Sequence, residues 1–102
     1  MPSILKQETQ KVVLDNVPSE YVFYLHDGGT LANLTDLADA LYDMSDDVYS
    51  YHVNESKNDF SNWVRDIIKD ERLAGDLNKA ASKNQAAKIV ADRLAALKKR
   101  SR

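Results

Sequence analysis

A chain of 102 residues is one domain on length alone, with room for one hydrophobic core and no more. Being 43% hydrophobic and 29% charged, with three glycines and two prolines, it is neither wholly disordered nor fibrous. The absence of cysteine excludes disulfides, thiol nucleophiles and thiolate metal sites. That composition, and an N-terminus without a signal-like or membrane-spanning apolar run, lead to the expectation of a cytoplasmic protein.

The net charge of −2 hides a split. Residues 83 to 102 hold seven Lys and Arg against one Asp, a net +6, whereas residues 1 to 82 hold seven against fifteen Asp and Glu, a net −8. Such a division bears on partners rather than on fold.

Residues 3 to 14 admit two readings. Ser3 fits a helix cap ahead of Ile4, Leu5, Val12 and Val13, while Val12-Val13-Leu14 also suits extended chain. The helix is the preferred expectation, and Pro18 ends it. Over residues 20 to 32, Tyr21, Phe23 and Leu25 alternate with Val22, Tyr24 and His26, and Asp27-Gly28-Gly29 marks a turn. This predicts a short β-hairpin that must lean on helices to be stable.

From Asn33 the period turns helical. Asn33 is the expected cap, Leu34, Leu37, Ala38 and Leu41 the buried stripe extended by Met44, and Asp36, Asp39 and Asp43 the outer face. Ser45-Asp46-Asp47 starts a second, short helix. Val48, Tyr51 and His52 are expected on one side of it, with Tyr49 on its flank. After an Asn54–Lys57 loop, Phe60, Trp63, Val64, Ile67 and Ile68 recur at helical spacing, with Ser61, Asn62, Arg65, Asp66 and Lys69 outward. This helix, with Trp63 mid-stripe, is the expected central post of the core. Asp70 caps a segment over 71 to 81 with Leu73, Ala74, Leu77 and Ala81 inward. Ser82 and Gln85 form a capping box. The final helix, from 83 to about 98, presents Ala86, Ile89, Val90, Leu94 and Leu97, and residues 99 to 102 are a frayed tail. The predicted fold is therefore mainly α: a single compact bundle of five or six short helices with a small β-hairpin near the N-terminus.

The middle of the chain resembles a family of small archaeal and bacterial domains of unknown function. The likeness rests on Phe23-Tyr24-Leu25, Asp27-Gly28, Leu34-Thr35-Asp36-Leu37-Ala38, Tyr51-His52-Val53, the run Asn58-Asp59-Phe60-Ser61-Asn62-Trp63-Val64-Arg65-Asp66, and Asp70 with Leu73-Ala74. It spans about residues 21 to 77, and its His-Val then Asn-Asp-Phe-x-x-Trp-Val pattern is the most specific part. The resemblance implies a prokaryotic, mostly helical module and no activity.

Among candidates for chemistry, His52 ranks first, as a proton carrier or as a ligand with Asp59 and the Asp46-Asp47 pair. The competing reading is a buried histidine hydrogen-bonded to a helix end and packed beside Trp63. His26-Asp27 is too slight for a metal or phosphate loop, and no Gly-rich phosphate motif or serine triad occurs. Asp36, Asp39, Asp43, Asp46 and Asp47 lack the geometry of a calcium loop and read as a solvated face or as a dock for a basic partner, another copy's tail included. Phe60, Trp63, Tyr49 and Tyr51 read as core rather than as a platform for bases. Tyr21, Tyr24, Tyr42 and Tyr49 are the expected surface anchors.

The resulting expectation is a non-enzymatic protein-interaction module that binds through Tyr42, Asp43, Asp46, Asp47, Tyr49 and His52, with a protein partner or self-association. No cofactor, metal or membrane is expected. The alternative is a nucleic-acid-associated protein using Lys88, Lys98, Lys99, Arg100 and Arg102. Four terminal cations would give a salt slope of roughly −3 to −4 on duplex DNA. Ala87, Val90, Leu94 and Leu97 also fall at a/d spacing, over too few heptads for a coiled coil but compatible with a helical pair in a homodimer.

Overall fold

The computed structural model describes residues 14 to 100, with side chains through Lys98. The expected N-terminal helix lies outside the described residues, apart from Leu14. A 3-10 turn over Ser19–Tyr21 leads into β1 (Phe23–Tyr24) and β2 (Thr30–Leu31), followed by α1 (Leu34–Asp43) and α2 (Asp46–His52). Helix α3 (Asp59–Trp63) runs on into a π turn over Val64–Ile68, and α4 (Glu71–Asn78) and α5 (Lys83–Arg100) complete the chain. The protein is thus mainly α, with five helices and one two-stranded antiparallel hairpin among the described residues.

The strands pair Phe23 with Leu31 and Tyr24 with Thr30. Gly28 sits at the turn with φ +102°, a conformation that β-carbons disfavour, and Asp27 Oδ1 accepts the Gly29 amide at 3.1 Å. The caps predicted for α1, α2 and α4 are made, and of Asn58 and Asp59, the two cap candidates for α3, it is Asn58 that caps. The side chains of Asn33, Ser45, Asn58 and Asp70 accept from the backbone amides of Asp36, Val48, Ser61 and Leu73. Ser82 accepts the Gln85 amide, and the Gln85 side chain reaches back to the Ala81 amide around the start of α5.

The most extensive packing joins α1 and α5. Leu34, Leu37 and Leu41 of α1 and Ala86, Ala87, Val90, Leu94 and Leu97 of α5 are all buried. The a/d stripe of Ala87, Val90, Leu94 and Leu97, whose spacing is compatible with a pair of copies, is therefore used inside one chain. Lys83 at the head of α5 donates to the Leu41 carbonyl at 3.3 Å, placing the start of α5 beside the end of α1. It supplies the cation that the last turn of α1 lacks in sequence.

The tryptophan segment supplies Phe60, Trp63, Val64 and Ile68 to the core. Phe60 is buried more deeply than Trp63, and Phe23 of the hairpin contacts both, stacked on Phe60 at 5.0 Å and edge-on to Trp63 at 5.9 Å. Trp63 sits at the margin of the core, where Nε1–H donates to the Tyr21 carbonyl at 2.8 Å. Other inward and outward assignments change too. Ser61, expected outside, is fully buried and donates to the Ala74 carbonyl at 2.7 Å. Ala81, expected inside, is exposed because α4 ends at Asn78. Asp36 is half-buried and accepts the Ala32 amide at 3.0 Å.

Candidate functional site

Two places gather the residues from which a function can be read. The first is a polar and aromatic cluster where the hairpin turn meets the junction of α2 and α3. His52, the last residue of α2, is only 4% exposed. Its Nε2 accepts the His26 amide at 3.1 Å, and its Nδ1 lies 3.0 Å from Asp59 Oδ2. A donor at Nε2 leaves that nitrogen unprotonated, so the ring proton sits on Nδ1 and is donated to Asp59. The ring packs on Phe23, Tyr51 and Phe60 at 5.0, 5.0 and 5.2 Å. These rings take the place beside His52 that the sequence reading gave to Trp63.

Asp59 also accepts from Lys57 Nζ at 2.9 Å. Burial pushes the Asp59 carboxyl up, but the hydrogen bonds from His52 and Lys57 and their charges outweigh it and hold it below its ordinary value. Above this core lies a surface layer. His26 stacks on Tyr51 at 3.8 Å, and Lys57 sits 5.0 Å from the centre of the Tyr51 ring. Chemically the His52–Asp59 pair is a tether. Both ring nitrogens are engaged, so accepting a proton would cost the His26 amide bond. Asp46 and Asp47 lie at the other end of α2 and do not join it. Among the described residues, no group of three His, Cys, Asp or Glu is placed to hold a metal ion.

The second place is the corner where α1 ends and α2 begins. Tyr42 is 76% exposed, the most of the large apolar side chains, and Asp43, Asp46 and Asp47 are exposed around the bend. Two short helices with their own caps fix this bend: Met44 closes α1 through the Ala40 carbonyl, and Ser45 opens α2. Tyr42 also lines a groove with Asn84, Ala87, Lys88 and Ala91 of α5.

The structure therefore divides the predicted binding set. Tyr42, Asp43, Asp46 and Asp47 are each exposed at or next to the α1–α2 bend, whereas His52 is interior and Tyr49 half-buried, stacked over Phe60 at 6.1 Å. Tyr49, not Tyr51, turns inward from α2, because α2 rests on the core through its 48, 49 and 52 positions and leaves 51 outside. Burial raises the Tyr49 pKa. Tyr51 was missed as a surface residue, and its partner His26, a hairpin-turn residue, carries no sequence signal for that pairing.

The basic set is divided as well. Lys88 bonds Asp92 at 3.2 Å, one helical turn away, and Lys98 is exposed. The side chains of Lys99 and Arg100, and all of Arg102, lie outside the described residues. Arg93, counted with the basic tail by charge, instead donates from Nε to the buried Asp70 at 2.8 Å. Among the described residues, every buried side-chain nitrogen and oxygen has a hydrogen-bond partner. No described helix is long and apolar enough to cross a membrane.

Compared with protein-family models, curated proteins and solved structures, the chain matches none. The resemblance over residues 21 to 77 therefore stands on its motif alone.

Proposed function

We propose that this chain is a non-enzymatic protein-interaction module that docks a basic segment of a partner protein at the α1–α2 corner. Tyr42 carries the reading. A tyrosine ring left largely in water beside three exposed carboxylates joins an apolar face and a hydroxyl to negative charge. Tyrosines of this kind anchor interfaces, and the carboxylates steer cationic partners toward them. Asp36, first grouped with this face, takes no part, since it bonds the Ala32 amide. Supporting the non-enzymatic half of the reading, the Nε2 lone pair of His52, which a general base would use, is occupied by the His26 amide.

A peptide-display selection against the immobilised chain tests it. The expected outcome is enrichment of Lys- and Arg-rich sequences, with affinity falling about tenfold or more in Tyr42→Ala and in the Asp46→Asn, Asp47→Asn pair. Enrichment indifferent to those substitutions overturns the reading. Anisotropy of a labelled DNA duplex adds the competing outcome: micromolar, salt-sensitive binding lost on deleting residues 98 to 102 would assign the function to the basic helix end instead.

A further inference from the structure

The groove beside Tyr42 has a shape and a charge pattern of its own. Tyr42 forms one wall, the outer side of α5 at Asn84, Lys88 and Ala91 the other, and buried Ala87 lies in its floor. Ala87 and Ala91 carry nothing longer than a methyl group, so a second helix can approach α5 closely along this line.

The two ends of α5 carry opposite surroundings. Its head is held to the end of α1 by the Lys83–Leu41 bond, and so lies beside the corner of Asp43, Asp46 and Asp47. Its last turn is Lys98-Lys99-Arg100, followed in sequence by Ser101 and Arg102. The rise from Lys83 to Lys98 is about 22 Å, so the poles are separated by most of the length of the molecule's longest helix.

We propose that the groove receives α5 of a second copy of this chain, in a two-fold antiparallel pair centred near Ala91. This rests on the docking reading above and names its partner. A two-fold contact uses the same surface twice. Antiparallel pairing sets each basic last turn against the acidic corner of the other copy, so the favourable charge contact is made at both ends. Parallel pairing would set basic turn against basic turn and acidic corner against acidic corner, and is repelled at both. Tyr42 of each copy then covers the exposed alanines, Ala91 and Ala95, of the other helix. Val90, Leu94 and Leu97 are not the contact, because they are buried within the chain, and Ala87 enters only as the groove floor.

Sedimentation of the full chain from micromolar to millimolar concentration, at low and high salt, tests the pair. The expected result is a monomer–dimer equilibrium whose dissociation constant rises about tenfold with salt. Ala91→Arg, at an exposed position that leaves the fold intact by circular dichroism, is expected to give monomer only. Asp46→Lys alone is expected to weaken the dimer, and adding Lys98→Asp to restore it in part. A chain that stays monomeric at millimolar concentration and low salt, or a dimer indifferent to Ala91→Arg, overturns the proposal. If that monomer still selects basic peptides in a Tyr42-dependent way, self-pairing falls while the docking reading stands. If it selects none, both fall.

Discussion

Asp59 is held below its ordinary pKa of 3.8 although burial works the other way, because His52 and Lys57 both donate to it. A carboxyl depressed in the folded state contributes stability that is full above its unfolded pKa. That contribution is lost as pH falls through the folded value. Acid titration of the melting temperature is therefore expected to show a loss below about pH 4 that is smaller in Asp59→Asn. An acid limb unchanged in Asp59→Asn would mean that other carboxylates carry it. The sequence made His52 the leading candidate and put Asp59 within its reach, but not the His26 amide on its far nitrogen. That donor comes from a hairpin 26 residues away, and no local spacing records it.

At the scale of elements, helix starts were the most legible feature, because a cap is a bond between residues three apart in sequence. Helix interiors and ends were less so. The helical spacing of Phe60 to Ile68 predicted one continuous α-helix, yet the chain widens into a π turn at Val64–Ile68 and stops at Lys69 with φ 70°. The amide of Lys69 reaches Val64, and so does that of Asp70. A π turn keeps Val64 and Ile68 on the buried side, so the apolar pattern does not betray it. Its consequence is positional: it aims Asp70 inward, where one carboxylate caps α4 and meets Arg93.

Within α4, Gly75 lies in ordinary helical backbone, and a β-carbon at that position would meet nothing within 4 Å. Gly75→Ala is expected to stabilise the chain by about 0.5–1 kcal/mol, read as a rise in the denaturant midpoint at constant slope. A fall would indicate that α4 is tighter there than its surroundings show.

At the scale of the whole molecule, charge that looked like one basic tail is spent in different ways. Lys83 caps α1, Lys88 pairs along its own helix, and Arg93 ties α5 to the buried Asp70 at the start of α4. Arg93→Ala is expected to cost about 3 kcal/mol, the lower end of the range for orphaning a buried partner, since Arg93 itself is partly exposed. Lys98→Ala should change stability by less than about 0.5 kcal/mol. Chemical denaturation of the two variants separates them, and equal costs would refute the division of roles. The free basic surface is accordingly narrower than the charge count implied.

The sequence by itself determined the mainly α class, the hairpin and its glycine turn, the capping residues, and nearly all of the apolar core. Each of these is written in neighbours a few residues apart: a period, a cap, a turn. Only the tertiary structure decided which polar residues serve the interior. Ser61 and Arg93 are outwardly ordinary in sequence, His52 and Asp70 were noticed without these partners, and the bonds that hold all four inside join residues between 7 and 26 apart. Burying a polar group requires a partner in space, and spacing along the chain does not fix what chain folding brings near. The same reason explains the divided binding set, in which Tyr42 stays in water and Tyr49 does not: the side of α2 that faces α3 is chosen by packing against Phe60, not by the period of α2 alone.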